Sequence, residues 1–184
     1  MALQRYEGTS FLDAGLSRRT MSLDGTVLAA SGLNLSPSGT VEATIVTVTL
    51  PTKLLNNNGK MLQFFAFGGT AANGNNKQAS LRLSSLTGTL LADTGAVAGN
   101  NVGWSLEAFI VRTGAATQDV YGVGEMGSTQ KTLFTQLTQN SNTGLVTFVW
   151  TLTNATAAAD SSLRYWRVRL VTEGGVQTAG GVLQ

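Results

Sequence analysis

The chain has 184 residues and a formal net charge of +2, and it contains neither histidine nor cysteine. It therefore lacks the commonest general base, a frequent metal ligand and the best thiol nucleophile. Only 12% of its residues are charged, about half of the ~25% found in typical soluble domains. We therefore expect a protein that is not an enzyme, holds no cofactor or metal, and acts through its shape and surface.

The first 38 residues differ from the rest of the chain. They contain Arg5, Arg18 and Arg19, lack long β-branched alternation, and end in a loop rich in Ser, Pro and Gly. We predict an irregular N-terminal arm over residues 1–38, with a short strand at residues 26–30. There is no apolar run of roughly 18 residues and no block of like charge, so we predict no membrane or nucleic-acid partner.

Beyond the arm, runs rich in Val, Thr, Leu and aromatics alternate with Gly, Asn and Ser turns. Residues 103–112 alternate apolar and other side chains, which is typical of a strand with one buried face. Residues 61–67 are almost continuously apolar, which predicts a strand buried on both faces. Eight or nine strands result. They are residues 41–50, 61–67, 79–86, 90–91, 103–112, 120–126, 132–137, 144–152 and 163–171.

Many short strands with turn signals between them predict an all-β fold, an antiparallel, jelly-roll-like β-sandwich over residues 39–173. Residues 174–184 would form a C-terminal tail. In the last strand, the alternation places Tyr165, Arg167 and Arg169 on an outer or intersubunit face. The predicted core consists of Val46, Val48, Phe65, Leu83, Trp104, Leu106, Ile110, Phe148, Trp166 and Val168.

Two short motifs match catalytic or nucleotide-binding patterns. Residues 93–96, Asp-Thr-Gly-Ala, resemble the active-site stretch of retroviral-type aspartic proteases, but they occur once and also suit a turn. Residues 122–127 match G-x-G-x-x-G, which in a dinucleotide site is followed by a helix. In an all-β context we interpret these glycines as accommodating strand curvature.

The charged side chains also allow alternatives. Glu107, Asp119 and Glu125 could meet across strands as a glycosidase carboxylate pair, although solvated carboxylates on outward faces are favoured. Arg164 and Arg167 flank aromatic residues, a pattern that can bind single-stranded nucleic acid. The strand lacks the ribonucleoprotein consensus, so an outer face that carries arginine at an interface is favoured.

Three parts of the sequence resemble β-sandwich proteins of tailed-phage particles. They are Thr-Val-Thr-Leu-Pro at 47–51 with Asn-Gly-Lys at 58–60, Lys-Gln-Ala-Ser-Leu-Arg-Leu at 77–83, and Gly-Trp-Ser-Leu-Glu-Ala-Phe-Ile-Val-Arg-Thr-Gly at 103–114. The resemblance covers about residues 40–172. Proteins of this kind serve as capsid decoration, head-fibre or tail-fibre components, and they are commonly trimers with a jelly-roll body and an N-terminal anchoring segment.

The resemblance implies a capsid decoration protein, located in the virion and assembled in the host cytoplasm. It would bind the outer capsid surface as a homotrimer, and the three arginines of the arm would contact the major capsid protein or another virion protein. The alternative is a receptor- or glycan-binding domain of a head or tail fibre. In that case Tyr121 or Tyr165 would stack on sugar rings.

Overall fold

The computed structural model describes residues 26–32, 34–56, 58–138 and 145–171. The predicted tail at 174–184 lies outside these residues. The described residues form eleven strands: β1 (Thr26–Ser31), β2 (Ala43–Leu50), β3 (Met61–Thr70), β4 (Asn76–Leu83), β5 (Leu90–Asp93), β6 (Val97–Ala98), β7 (Gly103–Arg112), β8 (Gln118–Met126), β9 (Thr129–Leu137), β10 (Val146–Asn154) and β11 (Ser161–Val171). Strand β1 matches the short strand predicted at residues 26–30, and only the two-residue β6 has no predicted counterpart.

The strands form two packed antiparallel sheets. The six-stranded sheet has the order β1-β11-β3-β7-β8-β9, and the five-stranded sheet has the order β2-β10-β4-β5, with β6 pairing to β4. Strands β2, β3 and β4 alternate between the sheets, as consecutive strands of a jelly roll do, whereas β7, β8 and β9 form a meander within one sheet. The prediction of an all-β antiparallel sandwich is confirmed.

The core lies between the sheets. Trp104 and Ile110 are 3% and 2% exposed, and both project inward from β7. Trp166 is half-buried at the edge of the core, where its ring centroid lies 5.0 Å from that of Trp150. Val46 is also half-buried against the core. The other predicted core positions that are buried are Val48, Leu83, Leu106, Phe148 and Val168.

The prediction that Phe65 lies in the core is wrong. Its neighbour Phe64 fills the core instead, with its ring centroid 4.5 Å from that of Phe148. Phe65 is half-buried on the outer face of the six-stranded sheet, opposite Glu107. Every residue of 61–67 except the glutamine is apolar, so alternation alone cannot select the buried face. The prediction that this strand is buried on both faces is therefore also wrong.

Part of the predicted N-terminal arm belongs to the sandwich. Strand β1 pairs with β11 along the edge of the six-stranded sheet. Beyond it, Leu35 forms a bridge with Leu163, and the backbone N–H of Ala159 donates to the carbonyl of Pro37. Residues 26–31, Leu35 and Pro37 thus contact the body, and a test of the anchor must remove residues 1–25 only.

The G-x-G motif has a packing role. A Cβ atom on Gly122 would lie 1.9 Å from the carbonyl oxygen of Leu91, and one on Gly124 would lie 2.0 Å from that of Asp93. Both distances are far below van der Waals contact, so only glycine lets β5 lie directly on β8. Gly127 has a φ of 58° in the turn before β9. Close approach of two backbones, rather than strand curvature, explains the motif.

A buried lysine organises the loops at one end of the sandwich. Lys77 is 1% exposed. Its ammonium donates to the carbonyl of Asn73 at 3.1 Å, the Oδ1 of Asn73 at 2.6 Å, and the carbonyls of Asn75 and Gly99 at 2.9 and 2.7 Å. The side-chain amides of Asn75 and Asn73 donate to Asp160 at 3.0 and 2.8 Å. These bonds, with the charge of Lys77, lower the pKa of Asp160 below its usual value.

Candidate binding face

The outer face of the six-stranded sheet carries a concentration of aromatic side chains, which we call the aromatic face. Directly opposed residues of antiparallel strands share a face, so the strand pairings define its members. They are Phe65, Phe67, Phe109, Tyr121, Phe134 and Tyr165. Phe134, Tyr121 and Phe67 are 72%, 47% and 41% exposed. Clustered exposed apolar side chains of this kind mark interaction surfaces.

The aromatic rings of β3 and β11 support one another. Phe67 and Tyr165 are stacked, with centroids 5.5 Å apart and an interplanar angle of 29°. Phe65 lies 6.0 Å from Phe67 and 6.4 Å from Tyr165. The guanidinium carbon of Arg167 lies 5.3 Å from the centroid of the Phe65 ring, within cation–π distance. These contacts hold the rings in place before any partner binds.

A chain of polar side chains crosses the same face. Arg169 donates to the Oε1 of Gln63 from Nη2 at 2.6 Å and from Nε at 3.2 Å. The Nε2 of Gln63 then donates to the Oε1 of Glu107 at 2.6 Å. This links β11, β3 and β7. The predicted placement of Arg167 and Arg169 with Tyr165 on one outer face is what the pairing of β11 with β3 shows.

Three carboxylates lie on the aromatic face, but they are not directly opposed to one another. In the pairing of β7 with β8, each carboxylate opposes an uncharged residue. The pairs are Glu107 with Val123, Asp119 with Val111, and Glu125 with Ser105. Asp119 accepts a hydrogen bond from Gln136 at 3.0 Å. Register alone therefore does not form the carboxylate pair of a glycosidase. That the chain is not an enzyme stays a prediction.

A shallow cleft of about 300 Å³ lies at one end of the aromatic face and is lined by Phe67, Gly68, Gly103, Trp104, Ser105 and Glu125. A row of directly paired residues on neighbouring strands, which we call a register row, crosses this cleft. The row, here named the cleft row, consists of Tyr165 on β11, Phe67 on β3, Ser105 on β7 and Glu125 on β8. The cleft thus combines the aromatic rings of Tyr165 and Phe67 with a hydroxyl and a carboxylate, which suits a hydroxyl-rich ligand.

The Asp-Thr-Gly stretch forms a structural turn. The Oγ1 of Thr94 accepts from the N–H of Ala79 at 3.1 Å, and Gly95 has a φ of 70°. Asp93 is buried, and its Oδ1 forms an ion pair with Lys131 at 2.9 Å. These contacts tie β5 to β4 and β9, as the turn interpretation expects.

Of the residues predicted for binding, Arg5, Arg18 and Arg19 lie outside the described residues. Tyr121 and Tyr165 both lie on the aromatic face. Sequence analysis did not identify Phe67, Phe109 and Phe134 as binding candidates. The available signal was the excess of aromatics in 61–67, more than one buried face can accommodate.

In the part of the chain that the structure describes, no three acidic side chains are grouped closely enough to hold a metal ion. Across the same residues, no helix has the length and hydropathy needed to cross a membrane.

No protein-family model and no curated protein matches the chain. Among solved structures, it is similar to the CBM2 module of the evolved Dit of Lactobacillus casei BL23 phage J-1, with a TM-score of 0.41 and 11% identity over 82% of both chains. It is also similar to a chain of infectious bursal disease virus, Gx strain, with a TM-score of 0.32 and 15% identity over 82% of this chain and 32% of that one.

A third similar structure is the CBM22-1 xylan-binding domain from Paenibacillus barcinonensis Xyn10C, with a TM-score of 0.29 and 12% identity over 82% of this chain and 97% of that one. The assignment of the present chain to the antiparallel β-sandwiches rests on its own two sheets.

Proposed function

We propose that this chain is a non-enzymatic structural protein of a tailed-phage particle, a capsid decoration subunit that binds the outer capsid surface as a homotrimer. The observation that supports the proposal is the aromatic face. Phe134, Tyr121 and Phe67 stay 72%, 47% and 41% exposed in the single chain, and aromatic and arginine side chains are enriched where proteins associate. Self-association would cover this face.

The N-terminal segment supplies the proposed capsid contact. Residues 1–25 contain three arginines, Arg5, Arg18 and Arg19, whose side chains can pair with capsid carboxylates, while Glu7, Asp13 and Asp24 balance their formal charge. An exposed pair of this kind contributes about 1 kcal/mol or less. A trimer presents three such segments, and their linkage raises the effective concentration of each remaining contact. Trimerisation and capsid binding are therefore expected to depend on different parts of the chain.

The test compares the full chain with a variant lacking residues 1–25 and with a full-length variant carrying Arg5→Gln, Arg18→Gln and Arg19→Gln. Light scattering measures the mass of each, and co-sedimentation with undecorated heads of the encoding phage measures binding. We expect all three to be trimers and only the full chain to co-sediment. Undiminished co-sedimentation of the truncated variant would remove the anchor, and a monomeric full chain would remove the trimer.

The number of copies in the virion separates decoration from a fibre. Quantitative mass spectrometry of purified particles should count hundreds of copies of a decoration protein. A handful of copies would instead support a fibre component.

The cleft favours a second candidate, the receptor- or glycan-binding domain of a head or tail fibre. Aromatic rings can contact the C–H groups of a sugar, and the Ser105 hydroxyl and Glu125 carboxylate can bond its hydroxyls. A glycan array with the full chain tests this function. Phe67→Ala should then abolish glycan binding, whereas Thr49→Ala, an exposed change on the five-stranded sheet, should not. An array without any bound glycan would reject this candidate.

A further inference from the structure

The aromatic face has a basic side and an acidic side. The basic side consists of Arg164, Arg167 and Arg169 of β11, and the acidic side consists of Glu107 of β7 with Asp119 and Glu125 of β8. Strand β3 separates β11 from β7 in the sheet, and it contributes Phe65 and Phe67 between the two sides. A second copy of this chain therefore offers the charge that each side lacks.

The opposite charges also lie at matching heights along the strands. Arg167 on β11 and Glu107 on β7 both oppose Phe65 of β3, so they are members of one register row. Arg164 directly precedes Tyr165, the β11 member of the cleft row, and Glu125 on β8 belongs to the same row. Two basic residues thus have an acidic counterpart at the same level on the other side of the face.

We propose that in the homotrimer the basic side of one copy packs against the acidic side of the next copy, around an axis parallel to the strands. Rotation about such an axis moves a side chain around the ring without moving it along the strands. Arg167 of one copy therefore remains level with Glu107 of the next, and Arg164 with Glu125. This inference rests on the proposed trimer and adds which surfaces form its interface.

The single chain leaves this face incompletely satisfied. The Nε of Arg167 is buried and has no hydrogen-bond partner in the chain, while the guanidinium packs over Phe65. Arg164 and Glu125 are exposed.

A two-fold axis perpendicular to the strands, in place of the proposed axis parallel to them, would bring β11 of one copy against β11 of the other. Arginine would then oppose arginine, which like-charge repulsion disfavours.

The experiment reverses the charge of each side in turn in the full chain. The basic-side variant carries Arg164→Glu and Arg167→Glu, and the acidic-side variant carries Glu107→Arg and Glu125→Arg. Analytical ultracentrifugation measures the concentration at which half of each trimer dissociates. We expect each variant to raise that concentration at least about tenfold. The combined variant, in which all four charges are reversed, should return to within about threefold of the original chain.

Far-UV circular dichroism of every variant checks that the sandwich is folded. If a charge-reversed variant is unfolded, the same measurement is made on two neutral variants. One carries Arg164→Gln with Arg167→Gln, and the other carries Glu107→Gln with Glu125→Gln. Both should weaken the trimer, and trimers of the original chain should weaken as salt is raised. Two results would overturn the inference while leaving the proposed trimer intact. One is a dissociation concentration that the charge changes do not alter, and the other is a folded combined variant that stays dissociated.

Mixing the two charge-reversed variants provides a separate check on the trimer itself. In a ring of three, basic-side and acidic-side variants cannot alternate, so mixing should not restore a full set of opposite-charge contacts. A fully restored one-to-one dimer would support the paired surfaces but overturn the trimer in favour of a two-fold dimer. A monomeric original chain would overturn both the trimer and its interface.

Discussion

Replacing Lys77 with methionine tests whether the buried ammonium holds the loop cluster together. Methionine keeps most of the side-chain length but cannot donate a hydrogen bond. Four oxygen acceptors at 2.6 to 3.1 Å lose their partner. Asp160, which is 4% exposed, loses the cation whose charge lowers its pKa. The substitution therefore removes one member of a buried, charged network without creating a large cavity.

The expected destabilisation follows from the number of bonds. An ammonium has three N–H donors, and a hydrogen bond to a charged group contributes roughly 1.5–3 kcal/mol, which sets an upper range of about 4.5–9 kcal/mol. Water can reach some of the freed oxygens because they lie in loops, which recovers part of the loss. We therefore expect Lys77→Met to lower the free energy of unfolding by about 3–5 kcal/mol, as for other broken buried charge pairs.

Urea denaturation followed by tryptophan fluorescence measures this change, at one fixed protein concentration because association adds to stability. The corresponding fall in Tm is roughly 6–20 °C for a domain of this size. Lys53→Met is the matched control, since Lys53 is exposed, and it should change stability by at most about 0.5 kcal/mol. A loss of less than about 1 kcal/mol in the free energy of unfolding of Lys77→Met would refute the claim that the buried ammonium holds the loops together.

Four further substitutions, with Gly103→Ala as a control for the glycines, test other parts of the structure by the same denaturation assay. Gly122→Ala and Gly124→Ala should each cost more than about 2 kcal/mol, because the new methyl group meets a backbone carbonyl of β5. Gly103→Ala, whose Cβ would have 3.8 Å of clearance, should cost much less, and equal costs would contradict the close approach. Trp104→Ala should cost about 3–5 kcal/mol by emptying part of the core, and a change under about 1 kcal/mol would contradict its burial. Because the pKa of Asp160 is lowered on folding, its stabilising contribution is complete above the ordinary value of 3.8 and is lost as the pH falls through the folded value. Asp160→Asn should therefore flatten the fall in stability on acidification, and an unchanged slope would argue against the role of this carboxylate.

The sequence by itself determines where most strands lie. Strand β7 occupies the predicted residues 103–112, because every second side chain there is apolar and a strand has a period of two. The absence of helix-like periodicity, together with Gly and Asn turns, was enough to predict an antiparallel sandwich. These signals are local, since each depends on residues a few positions apart.

Tertiary structure alone decides which face of a uniformly apolar strand is buried. The pattern around Phe65 is compatible with either face, and pairing with Ala108 and Val168 is what places Phe64 inside. Burial of Lys77 also depends on a distant segment, because one of its oxygen acceptors, the carbonyl of Gly99, comes from a separate loop. No local pattern distinguishes this lysine from an exposed one.

The aromatic face is likewise a product of strand register. Tyr165, Phe67, Tyr121 and Phe134 belong to four different strands. The pairings of β11 with β3, β3 with β7, β7 with β8 and β8 with β9 bring them to one surface. The matching heights of its basic and acidic sides arise in the same way. Local periodicity reports which side chains of one strand share a face, whereas long-range pairing decides which faces of different strands become one surface.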